Sequence, residues 1–245
     1  MVSSATVAMV AALEREVRPL VKGWRRAERE YLGCRFNFFE SGQAVLVCGG
    51  IGAEAARRAT EGVIALYQPE LVMSVGFAGA LDPAMNVGEI VWPSRVIDAR
   101  DGSSVEIAAG RGVLVSAVAI AGVEQKAKLA ESYGAQAVDM EAAEVARGAQ
   151  ARGVRFMAVK AISDESAFDM QAMDRFVGGN GHFRTVKFLT FAALRPWLWL
   201  GIFQLARNGA KASRALCVEL DRTMNQSKKP EVSRPELHPI TRVVN

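Results

Sequence analysis

The chain has 245 residues, half of them hydrophobic, so it can bury a core as one large domain or two small ones, and no repeat suggests a solenoid or propeller. Cys34, Cys48 and Cys217 lack CxxC spacing, and His182 and His238 read as solvated loop residues, so neither a disulfide framework nor a metal centre is expected. The net charge of +4 is uneven: residues 184–245 hold 11 Lys/Arg against 4 Asp/Glu, and 1–183 hold 19 against 22, which leaves a basic end that either meets an anionic surface (membrane or nucleic acid) or is a solvated face.

The N-terminus has no basic residue before its apolar run and meets Glu14 at once, unlike a secretory signal, so a cytoplasmic protein is expected. No apolar run is long enough to span a membrane. Thr6–Ala11 reads as a buried strand and Glu14–Lys22 as a short helix. Ala44–Cys48 is a strand ending at Gly49-Gly50-Ile51-Gly52, followed by an alanine-rich helix over Ala53–Leu66. Leu71–Val75 is a strand ending at Gly76-Phe77-Ala78-Gly79. Further strands are expected at Glu89–Trp92, Val113–Ala117, Ala137–Met140 and Phe156–Ile162, with helices at Val123–Tyr133 and Glu141–Arg152. This alternation implies an α/β fold with a mostly parallel sheet between helices, and ligands at the carboxyl ends of the strands. From Phe188 the sequence turns helical and apolar, and Asn225–Asn245, with three prolines among charges, reads as a mobile tail.

Both glycine-rich segments follow strands, where backbone N–H groups could approach a ligand. Neither fits GxGxxG or GxxxxGK[ST], and tight turns without a ligand explain them equally well. The carboxylates are more informative. Glu16, Glu141 and Asp164 each follow a strand, so a parallel sheet would gather them at one edge. Each alone would be an N-cap or a surface residue.

The segments AlaLeuGluArgGluVal (12–17), GlyGlyIleGly (49–52), SerValGlyPheAlaGlyAlaLeu (74–81), ValAspMetGluAlaAla (138–143) and AlaIleSerAspGlu (161–165) resemble the nucleoside phosphorylase superfamily, nearest the methylthioadenosine/S-adenosylhomocysteine nucleosidases. Arg195-Pro196 and residues 198–216 resemble the tail of the hopanoid-associated phosphorylase branch, thought to remove adenine from adenosylhopane. The resemblance implies a three-layer α/β sandwich. Residues 1–190 would form the nucleosidase domain, 191–224 a basic aromatic helical extension of it, and 225–245 a tail. It also implies cleavage of an adenine nucleoside by a homodimer without a cofactor, either by water or with inorganic phosphate as co-substrate.

Breaking an N-ribosidic bond requires a proton or hydrogen bond on the leaving base, a grip on the ribose hydroxyls and a nucleophile at the anomeric carbon. By resemblance Asp164 serves the base, its acidity tuned by burial, and Ser163 orients it. Glu141 accepts from the ribose hydroxyls, Met140 packs on the sugar, and Gly50, Phe77, Ala78 and Gly79 line the pocket. Glu16 activates a water. Phosphorolytic relatives hold phosphate with basic and hydroxyl side chains where Ser74 and Phe77 stand here, which favours hydrolysis. The alternatives are a plain methylthioadenosine/S-adenosylhomocysteine nucleosidase or a catalytically dead nucleoside-binding module. Trp197, Trp199 and Phe203 beside Arg195, Arg207, Lys211 and Arg214 suggest that residues 188–216 meet a membrane surface or a lipid-linked nucleoside, or else pack on the core or a second subunit.

Overall fold

In the first strand, β1 (Val7–Ala11), Ala8 and Val10 join one hydrophobic cluster and Met9 and Ala11 the cluster on the opposite face. A strand covered on both sides must be apolar at every position, and VAMVA is. The computed structural model describes residues 6–168 and 199–226. After β1 come α1 (Glu14–Val21), a hairpin of β2 (Arg25–Tyr31) and β3 (Cys34–Ser41), β4 (Ala44–Cys48), α2 (Ala53–Tyr67) and β5 (Leu71–Ala80). Then follow β6 (Ile90–Val91), β7 (Arg95–Asp98), β8 (Ser104–Glu106), β9 (Val113–Ser116), α3 (Val123–Tyr133), β10 (Ala137–Asp139), α4 (Ala142–Gln150) and β11 (Arg155–Asp164). A long helix, α5 (Trp199–Gln226), ends the described chain.

The strands form one 11-stranded mixed sheet in the order β2-β3-β4-β1-β5-β10-β9-β7-β8, with β11 on β5 and β6 on β11. Helices α1 and α5 bury Val17, Leu20, Leu216 and Leu220 on one face, and α2 and α4 bury Ala56, Val63 and Val145 on the other. The chain is therefore a three-layer α/β sandwich. The second half of α5 is part of the core, because Ala212, Leu216, Cys217 and Leu220 are all buried. Truncating a leucine such as Leu216 in such a place costs roughly 2–5 kcal/mol.

Three features differ from the sequence reading. Residues 76–79 are not a loop after a strand: β5 runs through them to Ala80. The hairpin β2–β3 and the strands β7 and β8 fill stretches in which no element was expected. β10 runs antiparallel to β5, with Ala137 opposite Ala80 and Val138 opposite Gly79. Asn225 and Gln226 belong to α5 and not to a tail, while 227–245 lie outside the described residues, as do His182 and His238.

Candidate active site

The antiparallel course of β10 creates the site. β11 occupies one edge of β5 from Leu71 to Gly79, so β1 and β10 must share the other edge. β1 leaves that edge at Val10, opposite Ser74, and β10 arrives from the far end, opposite Ala80 and Gly79. The carboxyl ends of two strands thus point at each other across residues 75–78 of β5. The residues that follow them, on α1 and at the start of α4, are carried into that gap.

Glu16 is the third residue of α1, from which position it reaches back to the backbone N–H of Leu13 at the N-cap. A Cβ at Gly76 would stand 2.7 Å from Glu16 Oε2 and 3.9 Å from Lys160 Nζ, and the φ of +145° at Gly76 also favours glycine. Glycine at 76 is therefore the condition for the glutamate to lie against β5. Burial, then the neighbouring Glu141, push the Glu16 carboxyl up to about 7, with Lys160 pulling the other way.

Glu141 is the N-cap residue of α4. Its Oε1 accepts from Gly52 N at 2.8 Å, and Oε2 accepts from Met140 N at 3.3 Å. Burial and Asp139 raise this carboxyl as well, to about 7. Between the glutamates lies a lysine that the sequence reading missed. Lys160, 1% exposed on β11, donates to Asp139 Oδ2 at 2.8 Å. Burial opposes its charge, but Asp139, Glu141 and Glu16 outweigh it and the lysine's pKa is raised. Asp139 also takes Ser116 Oγ at 2.6 Å and the Ala142 N–H at 2.9 Å, so it starts α4 and anchors the lysine together. The signal in the sequence was a lysine inside an otherwise apolar buried strand, FMAVKAI.

Asp164 sits farther along β5, opposite Gly79, past a register shift in β11. It is buried; its Oδ1 accepts from Ser163 Oγ at 2.6 Å and its Oδ2 faces Lys126 Nζ at 2.5 Å. The Ser163 Oγ also lies 3.4 Å from the carbonyl of Ala78. Lys126 was not singled out from the sequence, and it gives the buried Asp164 a charged partner.

The glycine turn takes the form of a tight turn, one of the two readings its sequence left open. The N–H groups of Gly49 and Gly50 are spent on the carbonyls of Ala11 and Ala12, and that of Gly52 on Glu141. Gly50 therefore offers no N–H to a ligand; the turn fixes the end of β1 and aims Glu141. Ser74 is fully buried, and among the described residues its Oγ has no hydrogen-bond partner. Phe77 is partly buried beside the α1–α5 core, where a Cβ at Gly209 of α5 would lie 3.7 Å from its ring. Upstream of that contact Phe203 is 70% exposed, with Arg207, Lys211 and Arg214 also exposed on α5. Arg195 and Trp197 lie outside the described residues. Among the described residues no group of three or more His, Cys, Asp or Glu could hold a metal ion, and no helix is long and apolar enough to cross a membrane.

The Phosphorylase superfamily model matches residues 6–120 and 103–178. The 5′-methylthioadenosine/S-adenosylhomocysteine nucleosidase of Marinomonas sp. (strain MWYL1) is 33% identical over 95 residues, 37% of this chain and 41% of that protein. The protein of the same name from Bacillus cytotoxicus is 36% identical over 93 residues, 37% of this chain and 40% of its own. The matched part thus spans about two fifths of these curated relatives. Among solved structures, the Arabidopsis thaliana 5′-methylthioadenosine nucleosidase superposes with a TM-score of 0.70 at 16% identity, covering 92% of this chain and 97% of that one. The Helicobacter pylori futalosine hydrolase does so with a TM-score of 0.68 at 17% identity, covering 91% and 98%. These two share the fold.

Proposed function

The chain belongs to the phosphorylase superfamily, and from that premise we propose that it hydrolyses the N-glycosidic bond of an adenine nucleoside, releasing adenine. The observation that carries the reading is the pair of carboxyls, Glu16 against Gly76 and Glu141 at the start of α4, both held near neutral acidity beside Lys160. A group poised near the working pH can take a proton from water and release it again. Glu16 draws a proton from a water that attacks the anomeric carbon. As the bond breaks, its electron pair passes to the base. Glu141 accepts from the ribose hydroxyls while the sugar becomes cationic, and Asp164 serves the purine N7. Three steps along extended strand separate Gly76 from Gly79, roughly 10 Å and the scale of a purine nucleoside. Water is preferred to phosphate because the Ser74 hydroxyl is shut inside the sheet and Phe77 carries no charge.

The finer reading is a nucleoside with an apolar 5′ group, adenosylhopane in hopanoid synthesis, drawn from a membrane surface. The exposed Phe203 and Arg207, upstream of the Phe77 contact on α5, support it, together with the resemblance of residues 198–216 to the hopanoid-associated branch. 5′-Methylthioadenosine or S-adenosylhomocysteine as substrate is the other reading, favoured by the names of the relatives.

The experiment incubates the protein with adenosine, 5′-methylthioadenosine and a 5′-alkyl series, with and without phosphate, and follows adenine and reducing sugar. Free adenine with free pentose at a phosphate-independent rate is expected, and kcat/KM should climb with 5′ chain length. A strict phosphate requirement overturns hydrolysis. A preference for the methylthio group over longer alkyl groups overturns the lipid-linked substrate.

A further inference from the structure

Lys126 stands where a lysine is hardest to keep. It lies in the first turn of α3, its N–H bonded to the carbonyl of Gly122 at the N-cap, and there the helix dipole disfavours a cation. It is also 2% exposed, so the ammonium has lost its water. Its neighbour two places on, Lys128, reaches solvent and an i,i+4 glutamate, the usual solution for a lysine on this helix. Lys126 instead turns inward and spends its protons on three acceptors: Asp164 Oδ2 at 2.5 Å, Glu165 O at 2.8 Å and Phe168 O at 3.2 Å. The fit is close enough to constrain β5, since a Cβ at Gly79 would lie 2.9 Å from Asp164 Oδ2 and 3.3 Å from Lys126 Cε.

The carboxyl of Asp164 is therefore held at both oxygens, by Ser163 on one and by an ammonium on the other. In an ion pair the proton rests on the nitrogen. A carboxylate in this state can hydrogen-bond an incoming base but has no proton of its own to give. The departing purine needs one, because its nitrogens inherit the electron pair of the broken bond.

We propose that Lys126 is the proton reservoir for the leaving base, a positioning residue that acts through Asp164. This rests on the adenine nucleoside hydrolase reading. As the C–N bond breaks and its electron pair moves onto the purine, the Lys126 ammonium passes a proton to the Asp164 carboxylate across the Oδ2 contact, and Asp164 hands that proton on to N7. Lys126 is left neutral and Asp164 again an anion. Water has given its own proton to Glu16, so after adenine and pentose depart Glu16 releases one proton to solvent and Lys126 takes one up. The transfer is feasible because a purine anion is far more basic than a carboxylate, so the net exchange runs from one nitrogen to another. The two backbone carbonyls that share the ammonium keep the side chain in place while its charge changes.

The test compares kcat and KM of wild type, Lys126→Gln and Lys126→Met on 5′-methylthioadenosine and on 4-nitrophenyl β-D-riboside, whose phenolate leaves without a proton. Gln keeps an N–H for the two carbonyls, so it carries the experiment if the Met variant does not fold. On the nucleoside, kcat should fall about 100-fold, the usual scale of lost acid catalysis, with KM within about threefold. On the nitrophenyl riboside the loss should stay below about fivefold. Equal losses on both substrates would show that Lys126 only props the site, and an undiminished kcat on the nucleoside would also overturn the proposal. A wild type that releases no adenine from any nucleoside would bring down the hydrolase reading itself. A fully active wild type with unaffected variants would bring down the role of Lys126 alone.

Discussion

Helix α4 has buried acid on two sides, and the two clusters behave in opposite ways. At its N-cap Glu141 joins Asp139 and Glu16 around one buried lysine, Lys160. One turn later Glu144 joins Asp98, and these two carboxylates meet two arginines. Arg100 bonds Asp98 Oδ2 at 2.6 Å and also pairs with Glu144, and Arg147 reaches Asp98 at 2.9 Å and Glu144 at 3.0 Å. Asp98 and Glu16 are both buried, at 2% and 6% exposure, yet Asp98 is held below the usual carboxylate range by the Arg100 hydrogen bond while Glu16 rises to about 7. Burial alone does not decide the direction. The number of cations and donors per carboxylate does. A cluster with matched charges is built for stability, and one short of cations retains a capacity for protons at neutral pH, as a catalytic site needs.

The largest effect comes from removing the buried lysine on the poor side. Lys160→Met should cost about 3–5 kcal/mol at pH 8, the scale for breaking a buried pair and stranding its partners. The pKa of Lys160 is raised, so its contribution is fully present at pH 8 and would be lost only well above that. In the variant the stranded carboxylates accept protons on acidification, so the penalty should shrink towards pH 5.5. Urea unfolding at both pH values reads this. A penalty that is small, or equal at the two, would mean that Lys160 does not neutralise the cluster.

Next is the pH response of Glu16 itself. Its carboxyl and that of Glu141 lie above their ordinary 4.5, so between about 4.5 and 7 the native state binds protons that the unfolded chain does not. Stability from these groups is therefore present at low pH and is lost as the pH rises through 7. Under the proposed hydrolysis activity runs the other way, because a Glu16 that takes a proton from water must be ionised: kcat/KM should rise through pH about 7. Glu16→Gln should lower kcat by about two orders of magnitude and flatten the stability slope. A variant that keeps both the rate and the slope would remove Glu16 from the chemistry.

Much of this frame was legible because the central strands are buried on both faces and so wrote themselves as apolar runs. β1 and β4 were found to within a residue, and α3 at both ends. The hairpin was not. β2, RRAEREY, is charged and mostly exposed, and its cross-strand partner Glu40 pairs with Arg25 and Arg29, so its pattern is indistinguishable from a solvated loop. In β5 the glycines of GFAGA read as a turn, but Gly76 and Gly79 are small because Glu16 and Asp164 lie against them, which follows from tertiary approach and not from local sequence. The three carboxylates were legible as motif residues. Their lysines were not, because Lys160 and Lys126 matter only through partners 21 and 38 positions away.

The smallest effect should appear on the cation-rich side, where the comparison can be sharpened. Arg147 is 45% exposed at its side chain, so its bonds to Asp98, Asp101 and Glu144 are weakened by solvent. Arg100 holds the same two buried acids from the other direction, so Arg147→Gln strands neither of them. The loss should therefore stay below about 1 kcal/mol, the range of a partly exposed pair. Turnover should stay within about twofold, because the start of α4 is fixed by Asp139 and Ser116, which bond the N–H groups of Ala142 and Ala143, and by the Gly52 bond to Glu141. Nothing in those contacts passes through Arg147. Urea unfolding and steady-state kinetics on the same preparation check both halves. A tenfold fall in kcat with stability intact would mean that α4 couples its two clusters, so that the charge-matched side tunes the site and does not merely hold the helix in place.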